Sequence, residues 1–306
     1  MIKLSDYVFQ YLAKLDIKHV FLLSGGGCMH LVDSLGRNQE IEYIPCLHEQ
    51  VASIAAGAYA QYTNNLGVCL VTTGPGGTNA ITGVAAAWAD SIPLLVISGQ
   101  VKRNDLALNT GLRFLGYQEI DIVSIVKPIT KYAITVMEPQ EIKYHLDKAI
   151  SLATSGRKGP VWLDIPLDVQ ASLVDEGVLA GFAEEKITEN TIRKLDDLQD
   201  QVKKTLKLLS EAKRPVIIAG YGIKLAEAKD QFTDLISRLN IPVLTTWKGM
   251  DLLPDEHPLF FGRPGCIGGR APNFIQQNAD LVISIGARLD YGQIGFDHKN
   301  FARAAK

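Results

Sequence analysis

The chain has 306 residues with 31 basic and 33 acidic side chains, so its formal net charge is -2. This balance leaves no surplus of positive charge to neutralise a phosphate backbone, which argues against a nucleic-acid partner. At about 150 residues per domain the length favours two domains, and a hydrophobic content of 47% is ordinary for a globular protein.

The apolar runs of this sequence are short. Ile81–Ala89 and Ile92–Ile97 fall below the ~20 residues of a membrane-spanning helix. Met1–Leu15 has an amphipathic pattern in place of the apolar core of a signal peptide. The four cysteines are scattered, with no Cys-x-x-Cys pair and no histidine at zinc-site spacing. We therefore expect a cytoplasmic protein with reduced cysteines and no membrane partner.

Short apolar strands alternate with helical patterns over the first half of the chain. The predicted strands cover residues 19–23, 41–45, 68–72, 93–98, 132–136 and 161–165. This alternation is typical of right-handed crossover units, which build a parallel sheet with helices on both faces. The sequence therefore predicts a doubly wound α/β domain over residues 1–168.

A second Rossmann-like domain is predicted over residues 191–306. It follows a linker at residues 169–190, which has acidic residues and glycines with weak periodicity. The predicted strands of this domain are residues 215–219, 242–245 and 281–285. The tail from Arg288 to Lys306 is polar and has no strand pattern, so we expect the second sheet to be incomplete.

Residues that follow the predicted strands are candidates for a ligand site, because ligands of open α/β sheets bind outside the carboxyl ends of the strands. Glu49 opens a helix after one strand, and glycine-rich turns at 25–27 and 74–77 follow two others. The polar segment 101–118 is predicted to line or cover the site. Pattern alone leaves other readings open: Glu49 could be a helix cap, His48 a core histidine bonded to backbone, and the glycine segments plain turns.

A series of motifs resembles the thiamine diphosphate-dependent enzyme family and, within it, the large subunit of acetolactate synthase. The motifs follow one another in the family order: Leu47-His48-Glu49-Gln50, Leu70 to Asn79, Asp90 to Pro93, Ser98-Gly99-Gln100, Gln118-Glu119-Ile120-Asp121, Lys127 to Lys131 and Ser155 to Pro160. The resemblance covers nearly the whole chain. It implies a domain that binds the pyrimidine ring of the cofactor, followed by most of the central domain.

The resemblance assigns Glu49 the role of activating thiamine diphosphate. A carboxylic acid that hydrogen-bonds the aminopyrimidine ring favours the tautomer that deprotonates the thiazolium carbon, which then attacks a 2-keto acid. Small apolar neighbours are expected to shield Glu49 from water. Gln118 matches a family glutamine close to cofactor and substrate. The other cofactor-binding residues implied in this domain are Gly25, Gly26, Gly27, Thr72, Gly74, Pro75, Gly76 and Asn79.

The resemblance leaves open whether the central domain binds a cofactor. In acetolactate synthase this domain binds FAD, and the matching positions here are Arg157, Gly220, Gly222 and Arg288. The run Leu289 to Gln293 departs from the acetolactate synthase pattern, so a purely structural central domain is the alternative. The Gly-Asp-Gly segment that begins the Mg²⁺ and diphosphate site of the family is absent from the sequence.

The resemblance implies decarboxylation of a 2-keto acid such as pyruvate and transfer of the two-carbon unit to a second keto acid. The active site would lie between two chains of a homodimer or homotetramer. Without a diphosphate-binding domain, the 306 residues are expected to be inactive alone. The alternatives are a 2-keto acid decarboxylase on the same scaffold, or a non-catalytic half that pairs with a separate diphosphate-binding chain.

Overall fold

The computed structural model describes residues 1–108, 110–183 and 195–306, and the chain divides into two compact units, Met1–Lys186 and Ile187–Lys306. Each unit is mixed α/β and has a parallel main sheet, which confirms the predicted fold class. Among the described residues, no helix is long and apolar enough to cross a membrane.

The first unit is built on a six-stranded parallel sheet. The strands of the unit, which include those of this sheet, are β1 (Ile2–Lys3), β2 (His19–Leu22), β3 (Glu42–Pro45), β4 (Gly67–Val71), β5 (Leu94–Gln100), β6 (Tyr132–Thr135), β7 (Pro160–Pro166) and β8 (Leu173–Val174). The main sheet has the order β3-β2-β4-β5-β7-β6, whereas β1 and β8 pair separately and antiparallel. Strands β4, β5 and β7 are buried along their whole length, as expected for a parallel sheet covered on both faces.

The helices of the first unit connect these strands and supply its core. They are α1 (Leu4–Lys14), α2 (Met29–Arg37), α3 (Glu49–Thr63), α4 (Pro75–Asp90), α5 (Ile122–Val126), α6 (Ile142–Thr154) and α7 (Leu167–Ala171). Side chains of α1, α2 and α6, such as Phe9, Leu31 and Leu146, are fully buried against the sheet. Helices α3 and α4 approach closely at Gly83, where a Cβ atom would lie 2.7 Å from the Cβ of Ser53. This close packing brings the first turns of α3 and α4 side by side.

The strand order reverses direction between β2 and β4. After β2 the chain moves outward to the edge strand β3, and it then crosses back to β4 on the other side of β2. Such a switch point leaves a crevice at the carboxyl ends of the two strands, where open α/β sheets bind ligands. The segments that leave β2 and β4, residues 23–28 and 72–74, border this crevice.

The structure differs from the sequence predictions in two places near this crevice. Helix α4 begins at Pro75, so Gly76 and Gly77 lie in its first turn and not in a loop, because proline fits the first helical position. Residues 167–174, mostly assigned to the linker, contain α7 and β8. The linker prediction for 184–190 lies outside the described residues, and so do the first four residues of a helix that the sequence pattern predicts over 191–211.

The second unit has a three-stranded parallel sheet. Its elements are α8 (Leu195–Glu211), β9 (Pro215–Ala219), α9 (Gly222–Leu225), α10 (Lys229–Leu239), β10 (Val243–Thr245), α11 (Arg270–Asn278), β11 (Leu281–Ile285) and α12 (Tyr291–Ile294). The strand order is β10-β9-β11, and Ile217, Phe232 and Ile236 form part of the core. The sequence pattern predicts one helix over 225–239, but the structure interrupts it near Glu227, whose φ of 55° is left-handed.

Candidate active site

Two glycine-rich segments lie at the crevice between β2 and β4: the first glycine segment is residues 25–27, and the second is residues 74–77. The Gly27 amide donates a hydrogen bond to Thr72 Oγ1 at 3.0 Å, and Thr73 Oγ1 donates to Gly99 O at 3.0 Å. A Cβ atom on Gly27 would lie 2.8 Å from the Cβ of Thr73, so the segments approach this closely because residue 27 is glycine. A Cβ atom on Gly26 would have no neighbour within 4 Å, so the backbone there borders open space.

Glu49 is the acidic residue beside this crevice. It is the first residue of α3, its exposed fraction is only 7%, and its Oε2 accepts a hydrogen bond from Asn79 Nδ2 at 3.0 Å. A Cβ atom on Gly76 would lie 2.7 Å from Thr72 Cγ2 and 3.5 Å from Glu49 Oε1, so the absence of a side chain at residue 76 lets the start of α4 pack close to Thr72 and the carboxyl group. The hydrogen-bond partner is a neutral amide, and a ligand donor would therefore add to the satisfaction of this buried carboxyl.

The cap of helix α3 is His48 and not Glu49. His48 Nδ1 accepts a hydrogen bond from the Gln50 amide at 3.1 Å, which satisfies one of the free amides at the helix start. The His48 side chain is exposed, so the alternative of a core histidine does not hold, although the bond to backbone that this alternative included is present. The carboxyl of Glu49 is thus left available for a ligand.

Gln118 reaches the second glycine segment through its backbone. Gly74 has a φ of 60°, and a Cβ atom there would collide with the Gln118 carbonyl and lie 3.2 Å from its Cβ. Gln118 itself has a left-handed φ of 62°, and its side chain is exposed. The structure therefore brings the backbone of Gln118 beside Gly74, the residue that directly precedes α4. The predicted contact of Gln118 with cofactor and substrate stays a prediction.

Gln170 hydrogen-bonds the backbone of the first glycine segment, and the sequence did not indicate this role. This residue is fully buried, and its Nε2 donates to Gly27 O at 2.8 Å and to Ile165 O at 2.7 Å. Its Oε1 has no hydrogen-bond partner among the described residues. Because residue 170 lies in the range predicted as linker, no periodic pattern marked it as buried.

A second buried carboxyl lies where β5, β6 and β7 meet. Asp164 Oδ1 accepts from Ser98 Oγ at 2.6 Å, and Oδ2 accepts from Gln100 Nε2 and Thr135 Oγ1, both at 3.1 Å. Complete burial raises the pKa of Asp164 to about 7, and these hydrogen bonds act in the opposite direction. Gln100 Nε2 also donates to Ile120 O at 3.0 Å. In the sequence, this buried carboxyl was signalled by one acidic residue, Asp164, inside an otherwise apolar strand.

Arg157 is not near the glycine segments. It precedes β7, and its Nε donates to Ser91 Oγ at 2.8 Å just after the end of α4. Both positions lie at the amino-terminal edge of the parallel sheet, opposite the carboxyl ends where Glu49 lies. The flavin contact that the resemblance implied for Arg157 stays a prediction.

The glycines after β9 pack against the loop after β11. The Gly222 amide donates to Gly286 O at 2.9 Å, and a Cβ atom on Gly220 would collide with the same carbonyl. Arg288 Nη2 pairs with Asp290 Oδ2 at 3.0 Å. A dinucleotide phosphate needs free amide donors, and the amides of Gly220 and Gly222 already donate to the carbonyls of Ile285 and Gly286.

We expect Gly99→Ala to disturb the first glycine segment directly. Its Cβ would collide with the carbonyl of Gly27 and lie 2.6 Å from the amide of Cys28, and both atoms belong to backbone. Overpacking of this kind costs about 1–3 kcal/mol. A urea unfolding curve should show this loss, whereas Gly26→Ala, with open space at the Cβ position, should change the midpoint little. Equal midpoints for the two variants would contradict the packing described here.

The geometry defines a Rossmann-like α/β protein with a candidate cofactor site at the switch point of its first sheet. Residues 2–125 match the family model for the thiamine pyrophosphate enzyme N-terminal TPP binding domain, and residues 202–306 match the model for the thiamine pyrophosphate enzyme central domain. The chain belongs to the thiamine pyrophosphate enzyme family.

Several similar proteins are named as acetolactate synthases. The probable acetolactate synthase large subunit of Methanocaldococcus jannaschii is 33% identical over 310 residues, which cover 99% of this chain and 50% of the relative. The acetolactate synthase of Arthrospira platensis is 36% identical over 296 residues, covering 95% of this chain and 50% of the relative. The acetolactate synthase large subunit of Lactococcus lactis is 36% identical over 292 residues, which cover 94% of this chain and 48% of the relative. The chain spans about half the length of these relatives.

Proposed function

We propose that this chain supplies the pyrimidine-binding domain (residues 1–168) and the central domain (residues 191–306) of a thiamine diphosphate-dependent enzyme of the acetolactate synthase type. The enzyme would decarboxylate a 2-keto acid such as pyruvate and transfer the two-carbon unit to a second keto acid. The observation that carries the proposal is the buried carboxyl of Glu49 beside the glycine crevice. The names of the similar proteins support the choice of reaction.

The residues of the first unit fit the pyrimidine end of the cofactor. Gly76 brings the backbone of α4 close to Glu49 Oε1, and Gly26 has open space beside its backbone. Thiamine diphosphate, when bound, supplies a nucleophilic carbon and accepts the electron pair released by decarboxylation. Glu49 would hold a proton toward the pyrimidine ring, while Asn79 fixes the orientation of the carboxyl through its bond to Oε2. The exposed amide of Gln118 would contact the substrate.

The face of α3 next to Glu49 supports an active site shared between two subunits. Leu47, Val51 and Ile54 are 99%, 53% and 47% exposed, and Tyr62 continues the same helix face at 83%. Contiguous exposed apolar side chains of this kind mark interaction surfaces. We propose that a second subunit covers them in a homodimer or homotetramer. Analytical ultracentrifugation of the full-length protein should give a dimer or larger species, and a monomer at micromolar concentration would contradict this arrangement.

The proposal does not depend on flavin or on a metal site in this chain. The packed glycines after β9 favour the structural alternative for the central domain over FAD binding. Within the described residues, no group of three or more His, Cys, Asp or Glu side chains could hold a metal ion. The proposal assigns Mg²⁺, together with the diphosphate, to a separate diphosphate-binding domain. A visible flavin absorbance band in the purified full-length protein would show that the structural alternative is wrong.

A direct assay tests the reaction. Full-length protein with pyruvate, Mg²⁺ and thiamine diphosphate is expected to release carbon dioxide and form acetolactate, and omission of thiamine diphosphate is the control. Residues 1–306 alone are expected to give no turnover. Carbon dioxide without a carboligation product would favour the decarboxylase alternative. Activity only after addition of a separate diphosphate-binding chain would favour the split protein.

A further inference from the structure

The carboxylate of Glu119 folds the polar segment that precedes Gln118. Its Oε1 accepts a hydrogen bond from the Ala107 amide at 2.6 Å. Its Oε2 accepts from the amides of Leu115 and Gly116 at 2.6 and 3.1 Å. One side chain thus bonds two stretches of backbone that lie eight or more residues apart, one in the first half of the segment and one near its end.

The rest of the segment is held by isolated contacts, among them the bonds of Arg103 to Asp168 and to Met137 O. Apart from a single 3-10 turn at Arg103–Asp105, its described residues between β5 and α5 form neither helix nor strand. Backbone amides without such ladders need other acceptors, and a carboxylate is a strong one because its charge shortens and strengthens the bonds. Gly116 also packs tightly, since a Cβ atom there would lie 2.8 Å from the Val101 side chain and 2.9 Å from Asp105 O.

The position of Gln118 follows from this arrangement. It lies between Gly116 and Glu119, and the Glu119 amide closes a turn by donating to Gly116 O at 3.2 Å. The left-handed backbone of Gln118, with a φ of 62°, then presses its carbonyl against Gly74 and leaves its side chain exposed. Left-handed backbone is unfavourable for a residue other than glycine, so the surrounding contacts must hold it.

We propose that Glu119 is a positioning residue that sets the backbone of Gln118 and so aims the amide of Gln118 at the substrate. This inference rests on the proposed function, because it takes the substrate contact of Gln118 from there. Glu119 itself makes its bonds to backbone amides, so it acts through Gln118. The alternative is a surface carboxylate that stabilises the segment without effect on the reaction.

Hydrogen exchange of the full-length protein tests the structural half. In Glu119→Gln a single carbonyl oxygen replaces two carboxylate oxygens, so exchange should accelerate at least about tenfold at the Ala107 amide or at the Leu115 and Gly116 amides. In Glu119→Ala it should accelerate at all three. Asp105→Asn removes the same charge from the same segment and should leave the three amides protected. Unchanged exchange in both Glu119 variants would overturn the inference.

A double-mutant cycle tests the functional half. Glu119→Gln should lower kcat/KM for pyruvate by roughly 10- to 100-fold, as a misplaced contact does. The same substitution in a Gln118→Ala background should have almost no further effect, because the residue that it positions is gone. Equal effects in both backgrounds, or a wild-type kcat/KM in Glu119→Gln, would overturn the inference. Wild-type protein without turnover would refute the proposed function, and hydrogen exchange alone would then decide the positioning of Gln118.

Discussion

Glu49→Gln is expected to reduce acetolactate formation by the full-length enzyme by about 10²- to 10⁴-fold, the usual contribution of a positioned proton donor or acceptor. Glutamine has nearly the same shape as glutamate, but its side chain cannot hold or transfer the proton at Oε1. Asn79 Nδ2 can still donate to the side-chain oxygen of the variant, so the fold should be retained. Initial rates with pyruvate, together with the urea midpoint, separate a loss of chemistry from a loss of stability.

Glu40→Gln is the matched control for this substitution. Glu40 is an exposed residue before β3, and its replacement removes the same charge from the same region of the first unit. Its activity should stay close to that of the wild type. Activity of Glu49→Gln within a few-fold of Glu40→Gln would show that the buried carboxyl takes no part in the reaction.

Asp164→Asn is expected to remove most of the pH dependence that Asp164 gives to the free energy of unfolding of the first unit. The carboxyl titrates near 3.8 in the unfolded chain, whereas burial raises its pKa to about 7 in the folded state. Between these two pKa values the folded state binds more protons than the unfolded state. The contribution of Asp164 to the free energy of unfolding is therefore fully present below pH 4 and is lost as pH rises through 7. A difference of this size corresponds to about 4 kcal/mol.

Urea unfolding between pH 4 and pH 8 measures this term. Wild-type protein should lose stability as pH rises over the range set by the raised pKa of Asp164, and Asp164→Asn should give a flatter profile. Asp16→Asn, a change at an exposed carboxyl, should keep the slope of the wild type. Parallel profiles for wild type and Asp164→Asn would mean that Asp164 is already ionised at low pH in the folded state.

Local pattern was sufficient for the sheet, and the motif around Glu49 was sufficient to select that residue as the candidate acid. Alternating strands and helices predicted the parallel fold because each strand is a short apolar run with a turn after it. Glu49 was identified because its neighbours on both sides match one family. Pattern could not separate a catalytic acid from a helix cap, because that choice depends on which side chain bonds the Gln50 amide.

The residues that sequence reasoning missed act over long distances in the chain. Gln170 bonds a carbonyl 143 residues away, and Ser98 and Asp164 are joined across 66 residues. Such partners become visible only when β5 and β7 are known to be neighbours. The start of α4 was misplaced for a different reason, since the two glycines after Pro75 suggested a turn although proline favours the first turn of a helix.

The short ladder between β1 and β8 has a consequence for synthesis on the ribosome. Ile2 pairs with Val174 and Lys3 with Leu173, and the Leu4 amide donates to Ser172 O at 2.8 Å. During synthesis, residues 2–4 therefore emerge well before residues 172–174, which pair with their backbone groups. Until then residues 2–4 carry an unpaired strand edge, which chaperones that bind extended apolar segments can recognise.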